Sequence, residues 1–519
     1  MISRRGLLRA SVAVLAAGLA RPGAAGVPET PDALIAAART LTQSPYRPGR
    51  LALTAPFDAL DYDSYRAVRP RAGRAAGLAL GEGFRADLLP PGWLFADPVA
   101  IRLPGHDTAF DVGLFDFDPA LVTLPDPIPD PGATGFSGLR LLTRLNAPDR
   151  WDEVLVLQGA SYFRALARDT VYGLSARALS LGTGGPGAEE FPVTQAITVF
   201  SAGFSAGFSA GESLQFGCLI DSPRAAAALI ATLTPGIETV MACALHLFPR
   251  EVLPDAGIAP LTSMFQHNAL GPARIDDFRP RVHDSEVLVI DNGAGERLWR
   301  PLANPASVQM SAFLDQGPIG FGLLQGPTGF DDFRDAEAAY HRRPSAWVRP
   351  RGDWGAGAVM LLEIPTRDEF SDNIVAFWRP EAPLAPGAHR FDYDLIWMPP
   401  GAGSLPDATR PLPFRPVSSA SGLEPHRREG RLFVVDFAGP VDHAGGVTLD
   451  LAPVAGADLQ GAALYPLRGA PGHLRASFIL KPEAGADSAE LRLSLRDGTG
   501  TPLSPVWLHR WTRRADGQV

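Results

Sequence analysis

Three carboxylic acids lie close together on one polar turn between two apolar runs. Asp368, Glu369 and Asp372 follow the run at residues 358–364 and precede the run at residues 374–378. Short apolar runs bounded by turn residues predict buried strands. Catalytic acids are commonly presented on loops at strand ends, because the sheet holds the backbone while the loop faces a cleft. This turn is therefore a candidate catalytic site.

A second group of ionisable side chains occurs earlier, at residues 274–293. His283 and Asp284 could form half of a metal site, but one histidine among hard carboxylates suits neither zinc nor iron. We therefore expect no metal and no other cofactor, and interpret Asp284 as an acid at the start of a strand. The ionisable residues of this segment include Asp276, Asp277, His283, Asp284, Glu286 and Asp291.

Several aromatic and arginine residues could bind a sugar. Aromatic rings and guanidinium groups suit sugar faces and hydroxyls when they are exposed beside acids, whereas buried ones serve the core and ordinary ion pairs. Both interpretations stay open from the sequence. The candidates for substrate binding are Tyr162, Arg164, Arg300, Tyr340, Trp347 and Trp354, with Tyr172 and Arg177 close to the first two.

Composition limits the class of partner. The chain has 519 residues and carries 56 acidic against 47 basic side chains, for a net charge of −9. Nucleic acids and anionic membranes are bound through basic patches, so this balance argues against both. A neutral ligand such as a carbohydrate remains possible. The length predicts about two domains.

The elements that must position these residues are predicted to be mostly β-strands. Runs of four to eight apolar residues, each closed by Gly, Pro, Asn or Asp, recur along the chain and predict a large antiparallel β-sandwich. Helices are expected at residues 28–42, with Thr30 as the cap and Pro31 in the first turn, and around residues 62–66. Two further helices are expected at residues 225–233 and 331–341.

The predicted domain organisation has four parts. Residues 1–26 read as a twin-arginine export signal, because Ser3-Arg4-Arg5 precedes an apolar segment too short for a membrane span. Residues 27–398 form the large sandwich, and the Pro- and Gly-rich residues 399–412 form a linker. Residues 413–519 predict a small immunoglobulin-like sandwich. The mature protein is expected outside the bacterial cytoplasm.

Three local patterns carry less information about chemistry. The repeat FSAGFSAGFSAG contains two G-x-S-x-G matches at residues 203–211, but the repeated serines lack the strand-to-helix setting of a nucleophile elbow, which favours a surface loop. GTGGPG at residues 182–187 predicts a turn. Cys218 and Cys243 could form a disulfide or stay reduced, since spacing alone does not decide it.

Many motifs occur in the order typical of one family. The chain resembles the periplasmic glucan biosynthesis proteins of the G and D types, over nearly all of its mature length, and its twin-arginine signal is similar to that of the D type. The motifs that carry the resemblance are QGASYFRAL, YGLSARAL, IAPLTSMF, DDFRPRVHDS, LWRPLANP, GFGLLQG, RPSAWVRPRGDWGAGAVMLLEIPT and DNIVAFW. Glu286 departs from the HDSDG expected there.

The resemblance implies a galactose-mutarotase-like sandwich followed by the immunoglobulin-like domain. It also implies action in the periplasm on β-1,2-linked glucans, as an inverting endo-β-1,2-glucanase. Carried over to this chain, the essential acids are Asp284, Glu369 and Asp372. The preferred hypothesis makes Asp284 the general acid and Asp372 the general base, with Glu369 tuning or relaying a proton; the first two roles could be reversed.

Other functions remain open beside the hydrolase. A glucan-binding accessory without turnover would assist the inner-membrane glucan glycosyltransferase, which is then a possible partner. A transglycosylase would pass the chain to a sugar hydroxyl instead of water. A further alternative is that the acids only cap turns or pair with Arg279 or Arg281. A homodimer is possible.

Overall fold

The structure is a computed structural model. It describes residues 26–48, 53–128, 134–200, 213–271, 276–401, 411–426, 428–441, 446–452 and 456–513. The expected export signal, the FSAG repeat and most of the expected linker lie outside the described residues.

The described residues form three α-helices and 32 strands. The helices are α1 (Pro31–Leu41), α2 (Tyr62–Ala67) and α3 (Phe330–Phe333), and 3-10 turns occur at Phe57–Ala59, Val112–Leu114 and Tyr340–Arg342. The first sixteen strands are β1 (Arg69–Pro70), β2 (Leu78–Leu80), β3 (Phe84–Leu89), β4 (Ala100–Arg102), β5 (Phe115–Asp116), β6 (Gly138–Thr143), β7 (Asp152–Gln158), β8 (Tyr162–Ala165), β9 (Leu174–Arg177), β10 (Leu179–Leu181), β11 (Val193–Val199), β12 (Leu214–Asp221), β13 (Ala225–Thr234), β14 (Thr239–Pro249), β15 (Ala256–Ser263) and β16 (Phe265–His267). The others are β17 (Val282–His283), β18 (Val287–Asp291), β19 (Arg297–Pro301), β20 (Gln309–Asp315), β21 (Gly320–Leu324), β22 (Ser345–Arg351), β23 (Gly357–Glu363), β24 (Ile374–Pro380), β25 (His389–Met398), β26 (Arg415–Leu423), β27 (Arg431–Ala438), β28 (Thr448–Leu451), β29 (Ala457–Pro466), β30 (His473–Pro482), β31 (Ser488–Arg496) and β32 (Val506–Thr512).

Two large sheets dominate the molecule, so the predicted all-β class is confirmed. One has eleven strands in the order β2-β3-β6-β7-β8-β9-β15-β24-β23-β20, with β10 also paired to β15. The other has thirteen strands in the order β28-β31-β32-β19-β18-β21-β22-β25-β14-β13-β12-β11-β4. Leu155 and Ala176 of the first sheet share one hydrophobic core with Leu245 and Leu395 of the second. The galactose-mutarotase-like and immunoglobulin-like assignments stay predictions.

The C-terminal strands do not form a separate set of sheets. A four-stranded sheet, β26-β27-β30-β29, stands beside the thirteen-stranded one, but β28, β31 and β32 belong to the latter. The junction is a parallel pairing in which Leu298 of β19 lies opposite Val506 of β32, and Trp299 lies opposite Trp507. Strands from before residue 399 and from after residue 412 therefore belong to one hydrogen-bonded sheet.

Local sequence signals specify the two N-terminal helices as expected. Helix α1 begins after Thr30, whose side chain accepts a hydrogen bond from the Ala33 amide, with Pro31 in its first turn. Helix α2 begins after Asp61, whose carboxylate accepts from Ser64 in a reciprocal capping box. These caps satisfy amides that have no partner within a helix, which is why they mark the helix starts in the sequence.

The helix expected at residues 225–233 is wrong. These residues form β13, a central strand between β12 and β14. Alanine favours a helix in isolation, but pairing on both sides and burial override that preference. The small side chains have a packing reason, because Ala228 lies in one cluster with Leu34 and Ala38 of α1.

The helix expected at residues 331–341 is largely absent. Helix α3 ends at Phe333 because Arg334 adopts a left-handed conformation with φ of 56°, and Ala339 is left-handed as well. Such φ values interrupt the repeating α conformation. The chain resumes as the short 3-10 turn at Tyr340–Arg342.

Three smaller expectations also have outcomes. The glycine-rich segment at residues 182–187 is a turn, as predicted, with positive φ at Gly182 and Gly184. Cys218 and Cys243 are buried and free. None of the helices in the described ranges has the length and hydrophobicity needed to cross a bilayer.

Candidate active site

Asp284 and Asp372 are held on opposite sides of one backbone segment. The Ser263 carbonyl accepts a hydrogen bond from the Asn373 amide at 3.1 Å, and the Met264 carbonyl accepts from the Asp284 amide at 2.8 Å. Successive carbonyls of a strand point to opposite edges, so the two acidic segments flank this one. Since neighbouring strands lie about 4.8 Å apart, the flanking backbones are about 10 Å apart.

Buried hydrogen bonds fix the position of both flanking segments. The Asn373 side chain accepts from the Phe265 amide at 2.8 Å and donates to the Phe265 carbonyl at 3.0 Å. On the other side, the Ser263 hydroxyl donates to that of Ser285 at 2.8 Å. Because Asn373 and Ser285 follow the two acids directly, the backbone beneath each carboxyl group is held in place.

Asp372 is exposed and is hydrogen-bonded through one carboxylate oxygen. Its Oδ2 accepts a hydrogen bond from the Thr262 hydroxyl at 3.0 Å, and the residue is exposed. Protein atoms around the carboxyl group reduce its hydration and raise its pKa above the usual value, while the Thr262 hydrogen bond and the charge of Arg164 oppose this. Asp372 therefore combines solvent access with a raised proton affinity.

Asp284 is more enclosed than Asp372 and is paired with a cation. Its Oδ1 lies 3.1 Å from Nη1 of Arg343. Loss of hydration raises the pKa of Asp284 to about 6, although Arg343 acts to lower it, and the charge of Asp372 raises it further. The two acids are thus within electrostatic reach of each other, and each disfavours ionisation of the other.

Asp284 is expected to make stability depend on pH. Its folded pKa of about 6 exceeds the ordinary 3.8, so its contribution to folding is fully present below pH 3.8 and is lost as the pH rises through about 6. Asp284→Asn removes this titration. The difference in melting temperature, variant minus native, should therefore increase from pH 4 to pH 8. A constant difference over this range would contradict the expectation.

Glu369 is held by a network centred on Arg279. Nη1 and Nη2 of Arg279 donate to the Glu369 carboxylate at 2.9 and 3.3 Å, and the Tyr340 hydroxyl donates to it at 2.5 Å. Arg279 also pairs with Asp277 and Asp335, each at 2.7 Å. These carboxylates, Asp277 first, raise the pKa of Arg279. The pairing of an acid with Arg279, weighed from the sequence as a non-catalytic alternative, thus occurs at Glu369.

Two of the predicted sugar-binding residues lie beside the acids. Arg164 is exposed on β8, and its charge lowers the pKa values of both Asp284 and Asp372. Tyr162, on the same face of β8, lies under the Arg177 guanidinium at 4.4 Å, and loss of hydration raises its pKa to about 12. Arg164 therefore lies within electrostatic reach of both acids, and Tyr162 shares its face of β8.

The other four predicted sugar-binding residues lie in the interior. Trp347 is 1% exposed and packs among Val287, Val289 and Leu324, so neither ring face is available. Trp354 is 7% exposed and its Nε1 donates to the Asp392 carbonyl at 3.2 Å. For both tryptophans the sequence left core and cleft open, and their burial fits the core.

Arg300 and Tyr340 are buried as well, but of the two it is Tyr340 that contacts a candidate catalytic acid. Arg300 is buried against Glu363, with Nη2 of Arg300 3.2 Å from Oε2 of Glu363. The Tyr340 ring packs in the core with Phe333, yet its hydroxyl reaches Glu369. Tyr340 therefore touches the site through one atom and offers no ring face.

Two residues of the site were not predicted from the sequence. Arg343 pairs with Asp284 and places its guanidinium 4.1 Å from the ring centroid of Tyr172, which is exposed. Thr262, on β15, binds Asp372. Arg343 begins the motif RPSAWV and Thr262 lies in IAPLTSMF, but these motifs do not indicate a role for either side chain, and only the fold brings them to the acids. Within the described residues no cluster of three or more His, Cys, Asp or Glu side chains could hold a metal ion.

Comparison with known proteins bears on this arrangement. The family model described as "Periplasmic glucan biosynthesis protein, MdoG" matches residues 30–511. This chain belongs to that family. Family membership gives the protein a role in periplasmic glucan biosynthesis and places it in the periplasm.

Relatives with the name "Glucans biosynthesis protein G" align over most of the chain. The protein from Vibrio cholerae serotype O1 is 39% identical over 489 residues, covering 93% of this chain and 86% of the relative. That from Rhodopseudomonas palustris (strain BisA53) is 38% identical over 519 residues, covering 98% and 100%. That from Shewanella frigidimarina is 39% identical over 486 residues, covering 93% and 84%. The greater similarity to the D type of the glucan biosynthesis family stays a prediction.

Proposed function

We propose that this protein is an inverting endo-β-1,2-glucanase that trims the backbone of periplasmic glucans. The observation that supports this is the placement of Asp284 and Asp372 on either side of the backbone segment at Ser263 and Met264, within electrostatic reach of each other. Inverting glycosidases hold two carboxyl groups about 6.5 to 9.5 Å apart, which leaves room for the attacking water.

The proposed reaction uses the two acids for opposite proton transfers. One carboxylic acid protonates the glycosidic oxygen as its bond to the anomeric carbon breaks, while the other carboxylate removes a proton from the attacking water. We assign the donor role to Asp284, because with a pKa of about 6 more of this carboxyl group is protonated near neutral pH than for an aspartic acid with the ordinary pKa of 3.8. Asp372, open to solvent, then activates water. The reverse assignment predicts a different kinetic result, described below.

Glu369 is proposed to support this pair. It bonds to Tyr340, and the charge of Asp284 contributes to the raised pKa of Tyr340. The Tyr340 hydroxyl thus connects Glu369 electrostatically to Asp284. Through Tyr340, Glu369 would tune the charge near Asp284 or relay a proton.

Product analysis tests the proposal directly. The purified mature protein is incubated with linear β-1,2-glucan, and the products are measured by mass spectrometry and by proton NMR of the newly formed anomer. Shorter chains that appear first as the α-anomer are expected. Cyclic or branched products formed without the addition of water would indicate a transglycosylase. Glucan binding without new reducing ends would indicate an accessory protein.

The remaining parts of the proposal concern delivery and partners. Twin-arginine export would move the folded protein, consistent with Ser3-Arg4-Arg5. The glucan substrate would be supplied by the inner-membrane glycosyltransferase, with which contact is possible. A homodimer is also possible. No nucleic acid, metal or cofactor is part of the proposed activity.

A further inference from the structure

A row of side chains on the outer face of the eleven-stranded sheet begins beside Asp372 and leads away from the acids. Arg164 lies opposite Ser175, and Ser175 lies opposite Thr262, which binds Asp372. Residues directly opposite in antiparallel strands project from the same face. Gln158, two residues beyond the partner of Arg164 on β7, projects from this face as well. Gln158 is three strands from Thr262, which is about 14 Å across the sheet, and two residues further along the strand direction.

An aromatic group stands where this row ends. We call Tyr62, Tyr65, Trp93 and Phe95 the aromatic platform. The Trp93 ring centroid lies 5.3 Å from that of Tyr62 and 5.9 Å from that of Phe95. The Tyr65 hydroxyl accepts a hydrogen bond from Gln158 Nε2 at 2.7 Å, which ties the platform to the row. Tyr62 is 51% exposed and Trp93 is 39% exposed.

The backbone at Trp93 is strained. Its φ of 51° is an outlier for a bulky residue, because the side chain crowds the following carbonyl. The preceding Gly92 has a φ of 131°, and a Cβ there would come within 2.8 Å of Leu60. Backbone strain of this kind persists at ligand sites where the surroundings hold it. The tryptophan is thus held outward in a conformation that is unfavourable for the chain alone.

A cleft with polar groups adjoins the platform. The space enclosed within it is about 40 Å³, and its lining includes Phe95, Asp97, Gln158 and Thr194. The Arg66 guanidinium lies 5.2 Å from the Tyr62 ring centroid and occupies one side of that ring. Partly exposed aromatic rings next to a few hydrogen-bonding side chains match the surface of a sugar, which has apolar ring faces and a rim of hydroxyls. A charged or purely apolar ligand would leave one of these features without a partner.

We propose that the aromatic platform is a distal binding site for sugar units of the same glucan chain that occupies the acids. The inference rests on the proposed function, and it identifies a determinant of chain-length preference. A chain long enough to reach from Asp372 across the row to Trp93 gains the platform contact, and a short oligosaccharide does not.

The test compares affinities for long and short chains. In the full mature chain carrying Asp372→Asn to prevent turnover, Trp93→Ala should raise the Kd for long linear β-1,2-glucan about tenfold, as expected for the loss of one stacked ring. The Kd for a β-1,2-linked trisaccharide should stay unchanged. Tyr62→Ala provides a second, surface variant, and Trp93→Phe should retain most of the affinity. Isothermal titration calorimetry measures each value.

Controls separate the possible results. Tyr465→Ala removes an exposed ring from β29, outside the large sheets, and should change neither Kd. Trp93→Gly suits the positive φ and guards against a folding defect, since it should unfold cooperatively while binding long glucan as weakly as Trp93→Ala. If Asp372→Asn binds both ligands but the platform variants lose no preference for long chains, this inference fails alone. If it binds neither ligand, the proposed function fails.

Discussion

Asp372→Asn is expected to lower kcat on linear β-1,2-glucan about a thousandfold, and Asp284→Asn should do the same, because each removes one of the two proton transfers. KM should change little in either variant, since an amide occupies nearly the same space. Reducing-end assays with purified variants measure both constants.

The matched control for these variants is Asp368→Asn. Asp368 lies on the same turn as Glu369 and Asp372, and its Oδ1 accepts from the Phe370 amide, which an asparagine can still satisfy. Its kcat should stay within about twofold of the native value, as for surface changes away from the chemistry. Near-native rates in both Asp284→Asn and Asp372→Asn would overturn the proposed mechanism.

A second substrate assigns the donor. An aryl β-sophoroside with a good leaving group needs little protonation, so the variant that lacks the general acid should recover much of its rate on it, and the variant that lacks the base should not. With Asp284 as donor, Asp284→Asn recovers. Recovery by Asp372→Asn instead would reverse the two roles and leave the hydrolase proposal intact.

Arg300→Met is expected to lower the free energy of unfolding by about 3 to 5 kcal/mol, because it leaves a buried carboxylate unpaired. Glu363 is 0% exposed, and within the described ranges it accepts hydrogen bonds from Arg300 and from the Ala303 amide, the latter at 2.7 Å. Urea denaturation of the mature protein gives the difference. Adding Glu363→Gln to the variant should recover part of the loss by removing the charge.

An exposed ion pair serves as the comparison for this measurement. Arg71 pairs with Asp116 at 2.7 Å, and both side chains are largely exposed. Arg71→Met should cost less than about 1 kcal/mol, since water screens such pairs. A similarly small cost for Arg300→Met, together with weaker glucan binding, would contradict this structural role and favour substrate binding by Arg300.

Short-range signals carried much of the fold prediction. The caps at Thr30 and Asp61 satisfy amides within three residues, so the sequence alone marks α1 and α2. The alanine run of β13 could not be assigned in this way, because its state depends on β12, β14 and α1, which contact it from elsewhere in the chain. The end of the expected helix at residues 331–341 likewise depends on the backbone conformation at Arg334.

The candidate site divides along the same line. Acids on turns next to apolar runs stand out in the sequence, which makes Asp368, Glu369 and Asp372 candidates, whereas the choice of Asp284, Glu369 and Asp372 as the essential acids comes from the family resemblance. The role of a large aromatic residue cannot be predicted in this way, because the sequence does not distinguish Trp347, which is buried in the core, from Trp93, which is exposed at the surface. The partners of the acids, Arg343 and Thr262, are brought to them by long-range strand pairing, and such pairings are not written in local spacing.

The parallel pairing of β19 with β32 affects how the chain can be made. The thirteen-stranded sheet has β32 in its interior, and β32 (Val506–Thr512) lies far along the chain from its partner β19 (Arg297–Pro301). During synthesis one edge of β19 therefore stays unpaired while all the strands between the two are made. An open strand edge invites pairing with other chains. The sheet can close only after β32 has been synthesised and has returned to β19.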